Sequence, residues 1–166
     1  LVDLAGLAPG LRVITQNVDG LHQAAGSTDV IELHGNLFTD LCSRDRAPVT
    51  VREEIPGDEP PACPRCGAPV RPGVVWFGEY LPEAAFAEAR ALAAGCDLFL
   101  SIGTSSLVSP AADLAWLAMN ADATIVEINP DQTPLSSHCD YVVAGPSGVV
   151  LPALVAGLRE LHATGD

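Results

Sequence analysis

Apolar residues in this chain come in short runs, each closed by a polar or glycine-bearing cluster. Leu11-Arg-Val-Ile-Thr15 is aliphatic and β-branched and predicts a strand. The polar stretch Gln16 to Gly20 follows, then a short helix over Leu21 to Ala25 that stops at Gly26. Val30 to Leu33 predicts a second strand, running into His34-Gly35. Pro82 and Glu83 open a helix that ends near Gly95, with proline at the first helical position and an acid at the positive helix end. Asp97 to Ile102 is a near-continuous apolar run, the pattern of a strand buried on both faces, and Gly103-Thr-Ser-Ser follows it. Ser109 and Pro110 read as N-cap and first residue of a helix over Ala111 to Asn120. Ala123 to Ile128 is the next strand, Tyr141 to Ala144 a shorter one, and Pro152 to His162 the closing helix.

Strands alternating with helices, without strict two-residue alternation, predict an α/β fold: a parallel sheet with helices on both faces. Residues 40–72 break this texture. Prolines, arginines, acids and three cysteines fill them, and apolar periodicity is lost, so they read as a small inserted module between a first part at 1–39 and a second at 73–166. No internal repeat and no low-complexity tract stands out. In parallel sheets ligands bind beyond the carboxyl ends of the strands. The polar clusters Gln16-Asn17-Asp19, His34, Gly103-Thr104-Ser105 and Asn129 all fall there.

Composition narrows the chemistry. The formal charge is −13 and all eight basic residues are arginine. A charge of that sign and size repels phosphates, so nucleic-acid binding by bulk electrostatics is excluded. Without lysine there is no Schiff-base nucleophile and no phosphate-loop lysine within these residues. The longest uncharged stretch, Val142 to Leu158, is cut by Gly145-Pro146 and Pro152, so no membrane span is expected, and no signal peptide opens the chain. Five cysteines with one tight pair, Cys63-Pro-Arg-Cys66, suit a reduced, cytoplasmic setting and a metal knuckle more than a disulfide framework.

Each candidate has a bland reading beside the functional one. The amides and carboxylate of Thr15-Gln-Asn-Val-Asp-Gly suit a ligand's hydroxyl and amide groups, and equally suit turn and cap chemistry. His34 at a strand end offers an imidazole, which titrates near neutrality and serves as a general base, or is merely structural. His22, His138 and His162 read as surface or capping residues. Cys42, Cys63 and Cys66 are three thiols of a zinc knuckle. The fourth place, after Cys42, holds Ser43-Arg44-Asp45-Arg46, where Asp45 has the right spacing to ligate through oxygen. The alternative is a metal-free loop. Cys96 reads as a small core residue, and Cys139 has no assignment. Val74-Val-Trp-Phe-Gly-Glu79 fits either core or an exposed edge that pairs with an extended peptide, with Phe77 lining a channel. Gly103-Thr-Ser-Ser after a strand suits close approach of a phosphate or ribose, though the Gly-x-Gly-x-x-Gly fingerprint is absent.

Taken in order, TQNVDGLHQAAG, ELHGNLF, CPRCG, RPGVVWFGE, GTSSLVSPAA and EINP closely resemble the sirtuins, NAD-dependent protein-lysine deacylases, from about Arg12 to Leu161. RPGVVWFGE and GTSSLVSPAA look most like the class III branch, which prefers acidic acyl groups. The resemblance implies a Rossmann-like domain with a small zinc-ribbon-like insertion, NAD and structural zinc as cofactors, and acyl-lysine proteins as partners. By the same resemblance His34 is the general base, and Gln16, Asn17, Val18 and Asp19 form the pocket for nicotinamide and its ribose. Gly103, Thr104 and Ser105 form the cofactor loop, Asn129, Pro130 and Asp131 the adenosine-side turn, and Ser147 closes over the adenine. Val75, Trp76, Phe77 and Gly78 match the peptide edge and acyl-lysine channel.

The implied reaction begins with attack of the acyl oxygen on the ribose carbon that bears nicotinamide. His34 then takes a proton from a ribose hydroxyl, and the acyl group migrates to the sugar. The family's glycine-rich phosphate loop, and the class III tyrosine and arginine that read an acidic acyl group, are expected before residue 1. Two other readings stand beside deacylation: a non-catalytic binding module, and mono-ADP-ribosyl transfer on the same scaffold.

Overall fold

A computed structural model of the chain describes residues 1–50 and 59–164; positions 51–58 of the expected module lie outside the described residues. The elements run α1 (Val2–Leu7), β1 (Val13–Thr15), α2 (Leu21–Ala24), β2 (Val30–Glu32), β3 (Gly35–Cys42), β4 (Val70–Val74), α3 (Glu83–Gly95), β5 (Leu98–Ile102), α4 (Asp113–Asn120), β6 (Thr124–Asn129), a 3-10 turn at Ser136–His138, β7 (Tyr141–Ala144) and α5 (Ser147–Thr164). The fold is α/β, with parallel strands joined through helices. The chain divides into two compact units, Val13–Ala85 and Leu1–Arg12 with Phe86–Asp166.

In the unit of residues 13–85, β1 and β2 pair in parallel, Val13 opposite Val30 and Thr15 opposite Glu32. Both strands therefore end on the same edge, Thr15 leading into Gln16 and Leu33 into His34. Leu33 is almost wholly buried and its N–H extends the ladder to Thr15 O at 2.9 Å. After His34 the chain turns into an antiparallel pair, β3 with β4, which the sequence pattern did not predict. Its alternation is masked by a bulge: between Asn36 and Asp40 the register slips, and Leu37 to Thr39 loop out. Gly73 makes room, since a Cβ there would come 2.9 Å from Thr39 O. Pro72, which has no N–H for a ladder, stands at the edge of that bulge.

In the other unit β5, β6 and β7 form a parallel sheet in that order. β6 is its centre, and Ile125 and Ile128 are buried. Leu114, Ala115 and Ala118 of α4 are the buried face of a helix that lies on β5 and β6. α1 lies along α5, with Asp3 and Arg159 paired at 3.4 Å. β5 departs from the expected doubly buried strand. Of its five residues only Ser101 is buried, and Leu98 is 53% exposed.

Two helix starts also differ from expectation. α4 begins at Asp113, and Ser109 caps nothing, because its hydroxyl donates to the Asp113 carboxylate at 2.8 Å instead of taking a backbone N–H. α5 begins at Ser147, well before Pro152, which sits inside the helix. Pro152 has no N–H to give the Gly148 carbonyl, so the helix lacks that bond one turn in. No helix among the described residues is long and apolar enough to cross a membrane.

Candidate functional site

The sequence candidates fall in both units, and each group is described in its own. In the first, the edge shared by β1 and β2 gathers Gln16, Asn17, Val18, Asp19 and His34. His34 is half-buried, and its Nδ1 lies 3.0 Å from the carbonyl oxygen of Gln16. A carbonyl only accepts, so Nδ1 carries the proton in this bond and the ring's lone pair is on Nε2. The neighbours show how turn chemistry and ligand chemistry share one loop. Thr15 Oγ1 accepts the N–H of Asn17 at 3.0 Å, and Asp19 Oδ1 accepts that of Leu21 at 3.0 Å, starting α2. Val18 O accepts the N–H of Leu37 at 2.9 Å. Behind the loop, Glu32 Oε1 takes the amides of Gln23 and Asn36.

The peptide-edge candidates adjoin the same histidine. Val75 N–H donates to His34 O at 2.9 Å, directly after β4. Trp76 to Glu79 then make a tight turn, Glu79 N–H to Trp76 O at 2.9 Å, with Gly78 at φ +88°. Trp76 is half exposed and Phe77 fully so. Glu79 is held beneath the turn. Its carboxylate takes two bonds from Arg71 (2.5 and 3.0 Å), one from Arg46 (2.8 Å) and one from the Trp76 N–H (2.9 Å). The Arg71 guanidinium lies 3.5 Å from the Trp76 ring centre. These donors, Arg71 foremost, bring the Glu79 pKa down to about 2.

The three thiols come together: Sγ of Cys42, Cys63 and Cys66 lie within 4.8 Å of one another, Cys42 and Cys66 at 3.5 Å. Zinc with bonds of about 2.3 Å in a tetrahedron wants sulfurs about 3.8 Å apart, so the cluster fits that ion. The thiols rise from two matching turns. Cys63 N–H bonds Ala68 O at 2.7 Å and Gly67 N–H returns to Cys63 O at 2.8 Å; Cys42 N–H bonds Ala47 O at 3.0 Å and Arg46 N–H returns to Cys42 O at 2.9 Å. Gly67 and Arg46 both take positive φ, +71° and +59°. The sequences match accordingly, LCSRDRAPV at 41–49 and ACPRCGAPV at 62–70, a short internal repeat that sequence inspection passed over.

By that repeat Asp45 stands where the other turn has Cys66. Its carboxylate lies outside the thiol cluster. It accepts the Ala47 N–H at 3.0 Å and Arg65 at 3.2 and 3.3 Å. The Ala47 N–H first, then the Cys42 thiol and Arg65, lower its pKa. Burial opposes ionisation of Cys63, but the N–H groups of Arg65 and Cys66 and the neighbouring thiols outweigh it and lower that pKa.

In the second unit a concave site of about 280 Å³ is lined by Gly103, Thr104, Ser105, Asn129, Asp131 and Thr133, among others. Gly103, at φ +61°, turns the chain as it leaves β5, and its N–H bonds Ile128 O at 2.9 Å. Asn129 Nδ2 donates to Thr104 O at 2.8 Å, tying the two strand ends, and Asn129 Oδ1 accepts the Asp131 N–H at 3.2 Å. Pro130 is exposed beside them, and Ser147 is the first residue of α5. The far wall depends on a residue the pattern did not single out. Glu127 is fully buried, and its carboxylate accepts the hydroxyls of Thr133 and Ser136. A charge inside the run Thr-Ile-Val-Glu-Ile was the available signal, because a buried carboxylate demands donors nearby. Arg46 and Arg71 were also missed; the pairing of Arg71 with Glu79 across RPGVVWFGE needs the turn to be seen. Cys96 and Cys139 are half-buried, and burial raises both thiol pKa values.

Residues 3–110 match the model of the Sir2 family. The chain belongs to that family. An NAD-dependent protein deacylase of Methylococcus capsulatus is 50% identical over 163 residues, which cover 94% of this chain and 64% of that protein. Among solved structures, a Sir2 homolog–NAD complex superposes with a TM-score of 0.89 at 40% identity, over 96% of this chain and 62% of that one. A Sir2–p53 peptide–NAD+ complex gives 0.81 at 34% identity, over 99% and 68%. This Sir2-family chain thus spans a little under two thirds of the deacylase from Methylococcus.

Proposed function

We propose that the protein is an NAD-dependent protein-lysine deacylase and that His34 is its general base. The observation that carries this reading is the bond from His34 Nδ1 to Gln16 O, which leaves Nε2 free to accept a proton at a strand edge rich in amide and carboxylate groups. When bound, NAD supplies an electrophilic ribose carbon and a good leaving group. Gln16, Asn17, Val18 and Asp19 are its nicotinamide-side contacts. Gly103, Thr104, Ser105, Asn129, Pro130, Asp131 and Ser147 serve the adenosine side, supported by the concave site at the ends of β5 and β6. His34 Nε2 takes the proton of a sugar hydroxyl, and the Gln16 carbonyl stabilises the imidazolium that results. Val75, Trp76, Phe77 and Gly78 receive the acyl-lysine segment, supported by the exposure of the turn and its link to His34 O.

Cys42, Cys63 and Cys66 hold a structural zinc; the Asp45 carboxylate, which bonds the Ala47 N–H and Arg65, would have to turn from them to take the fourth place, and residues 40–72 are the module built around it. The partners are acyl-lysine proteins, with no role for nucleic acid or membrane, and the five unpaired thiols suit a cytoplasmic setting. The test is formation of deacylated peptide from an acyl-lysine peptide with NAD, which follows the proton transfer. Replacing His34 by Ala is expected to lower it by about 10²–10⁴-fold without changing the melting temperature, and full activity in that variant would remove the assignment.

A further inference from the structure

The turn that carries Trp76 and Phe77 is exposed, and one carboxylate holds its start. Glu79 takes the Trp76 N–H and two bonds from Arg71, and Arg71 in turn stacks on the Trp76 ring and donates to Val74 O at 2.9 Å. Arg71 is kept in this place although its buried Nε has no acceptor among the described residues, an arrangement that proteins otherwise avoid. The fourth bond comes from elsewhere. Arg46 reaches Glu79 at 2.8 Å from the thiol turn of Cys42. In the matching thiol turn the same position is Gly67, the residue suited to positive φ. Arg46 holds that conformation at φ +59° despite its side chain. A glycine would suit the backbone better, so what the arginine adds is its reach to Glu79.

From this juxtaposition we infer that Glu79 and Arg46 are positioning residues: they brace the substrate-binding turn at Trp76–Gly78 against the thiol module. The inference rests on the deacylase reading for its substrate and on geometry alone for the brace. The bracing pre-orders the turn, so its loss falls on peptide binding rather than on the chemical step.

Glu79→Gln and Arg46→Gly test this in the whole protein. Arg46→Gly removes the brace while easing the backbone, so it folds even if loss of the Glu79 charge proves too disruptive. Each variant is expected to raise KM about tenfold for short acetyl-lysine or succinyl-lysine peptides, with kcat and the KM for NAD within about twofold. Rescue is expected in Arg46→Lys, which keeps the charge. With Trp116 replaced by Phe, emission reports Trp76 alone; it should shift to the red and lose anisotropy in both variants without any substrate. Unchanged Trp76 emission and peptide KM in Arg46→Gly, or equal rises in KM for peptide and NAD, would overturn the inference. Failure of the wild-type protein to turn over either peptide would instead sink the deacylase reading, and the Trp76 signal would still decide the brace.

Discussion

Gly35 follows the candidate base at φ +74°, and a Cβ there would meet Gly73 O at 1.9 Å. Gly35→Ala is therefore expected to cost about 3 kcal/mol or more, read as a fall in the denaturation midpoint; a loss within about 0.5 kcal/mol would mean that the two strands are not held this close. Asp45 invites the opposite experiment. It occupies the position that Cys66 holds in the twin turn, so Asp45→Cys should complete four thiolates and tighten zinc about tenfold or more. Cobalt substitution would show the change directly in the thiolate-to-metal bands, and unaltered bands would place residue 45 outside the coordination sphere. His34 was legible as a candidate because a histidine after a strand beside amides is conspicuous. Its tautomer was not, since that depends on a backbone oxygen of Gln16 which only the β1–β2 pairing brings near. Glu127 escaped for a related reason: its donors, Thr133 and Ser136, sit in the loop that follows its strand.

Among elements, the strands and helices with simple periodicity were readable, and those that depend on partners were not. β3 and β4 hid behind a bulge, a proline and two glycines. The thiol turns hid because their repeat is short and four of its letters, Leu41, Ser43, Asp45 and Arg46, differ from Ala62, Pro64, Cys66 and Gly67. The turn after β4 has its own pH signature. The Glu79 carboxyl binds a proton only near pH 2 in the folded protein, against an ordinary value of 4.5. The stabilisation it contributes is complete above pH 4.5 and is lost as pH falls from there toward 2. In an acid titration Trp76 emission of the folded protein should move near pH 2 in wild type and stay flat in Glu79→Gln. A transition of the same size in both would assign it to other carboxyl groups.

For the molecule as a whole, alternation of strand and helix was enough to set the α/β class, while sheet order was not legible. Leu98 to Ile102 reads as buried on both faces by composition, yet Leu98 is exposed and of the five only Ser101 is buried. Each compact unit carries one tryptophan, Trp76 in one and Trp116 in the other. Chelation acts where the thiols are, so it should lower the melting transition seen by Trp76, in a Trp116→Phe background, by several degrees for each kcal/mol of lost metal binding. The Trp116 transition, in a Trp76→Phe background, should move less; equal shifts would show that the metal stabilises both units alike. The bond between His34 O and Val75 N closes everything between them into a loop with a fixed mouth. Chain can be added to or trimmed from the far end of that loop, and the imidazole and the edge that follows Val75 keep the same spacing. The length between the two residues can thus vary without moving His34 relative to Val75.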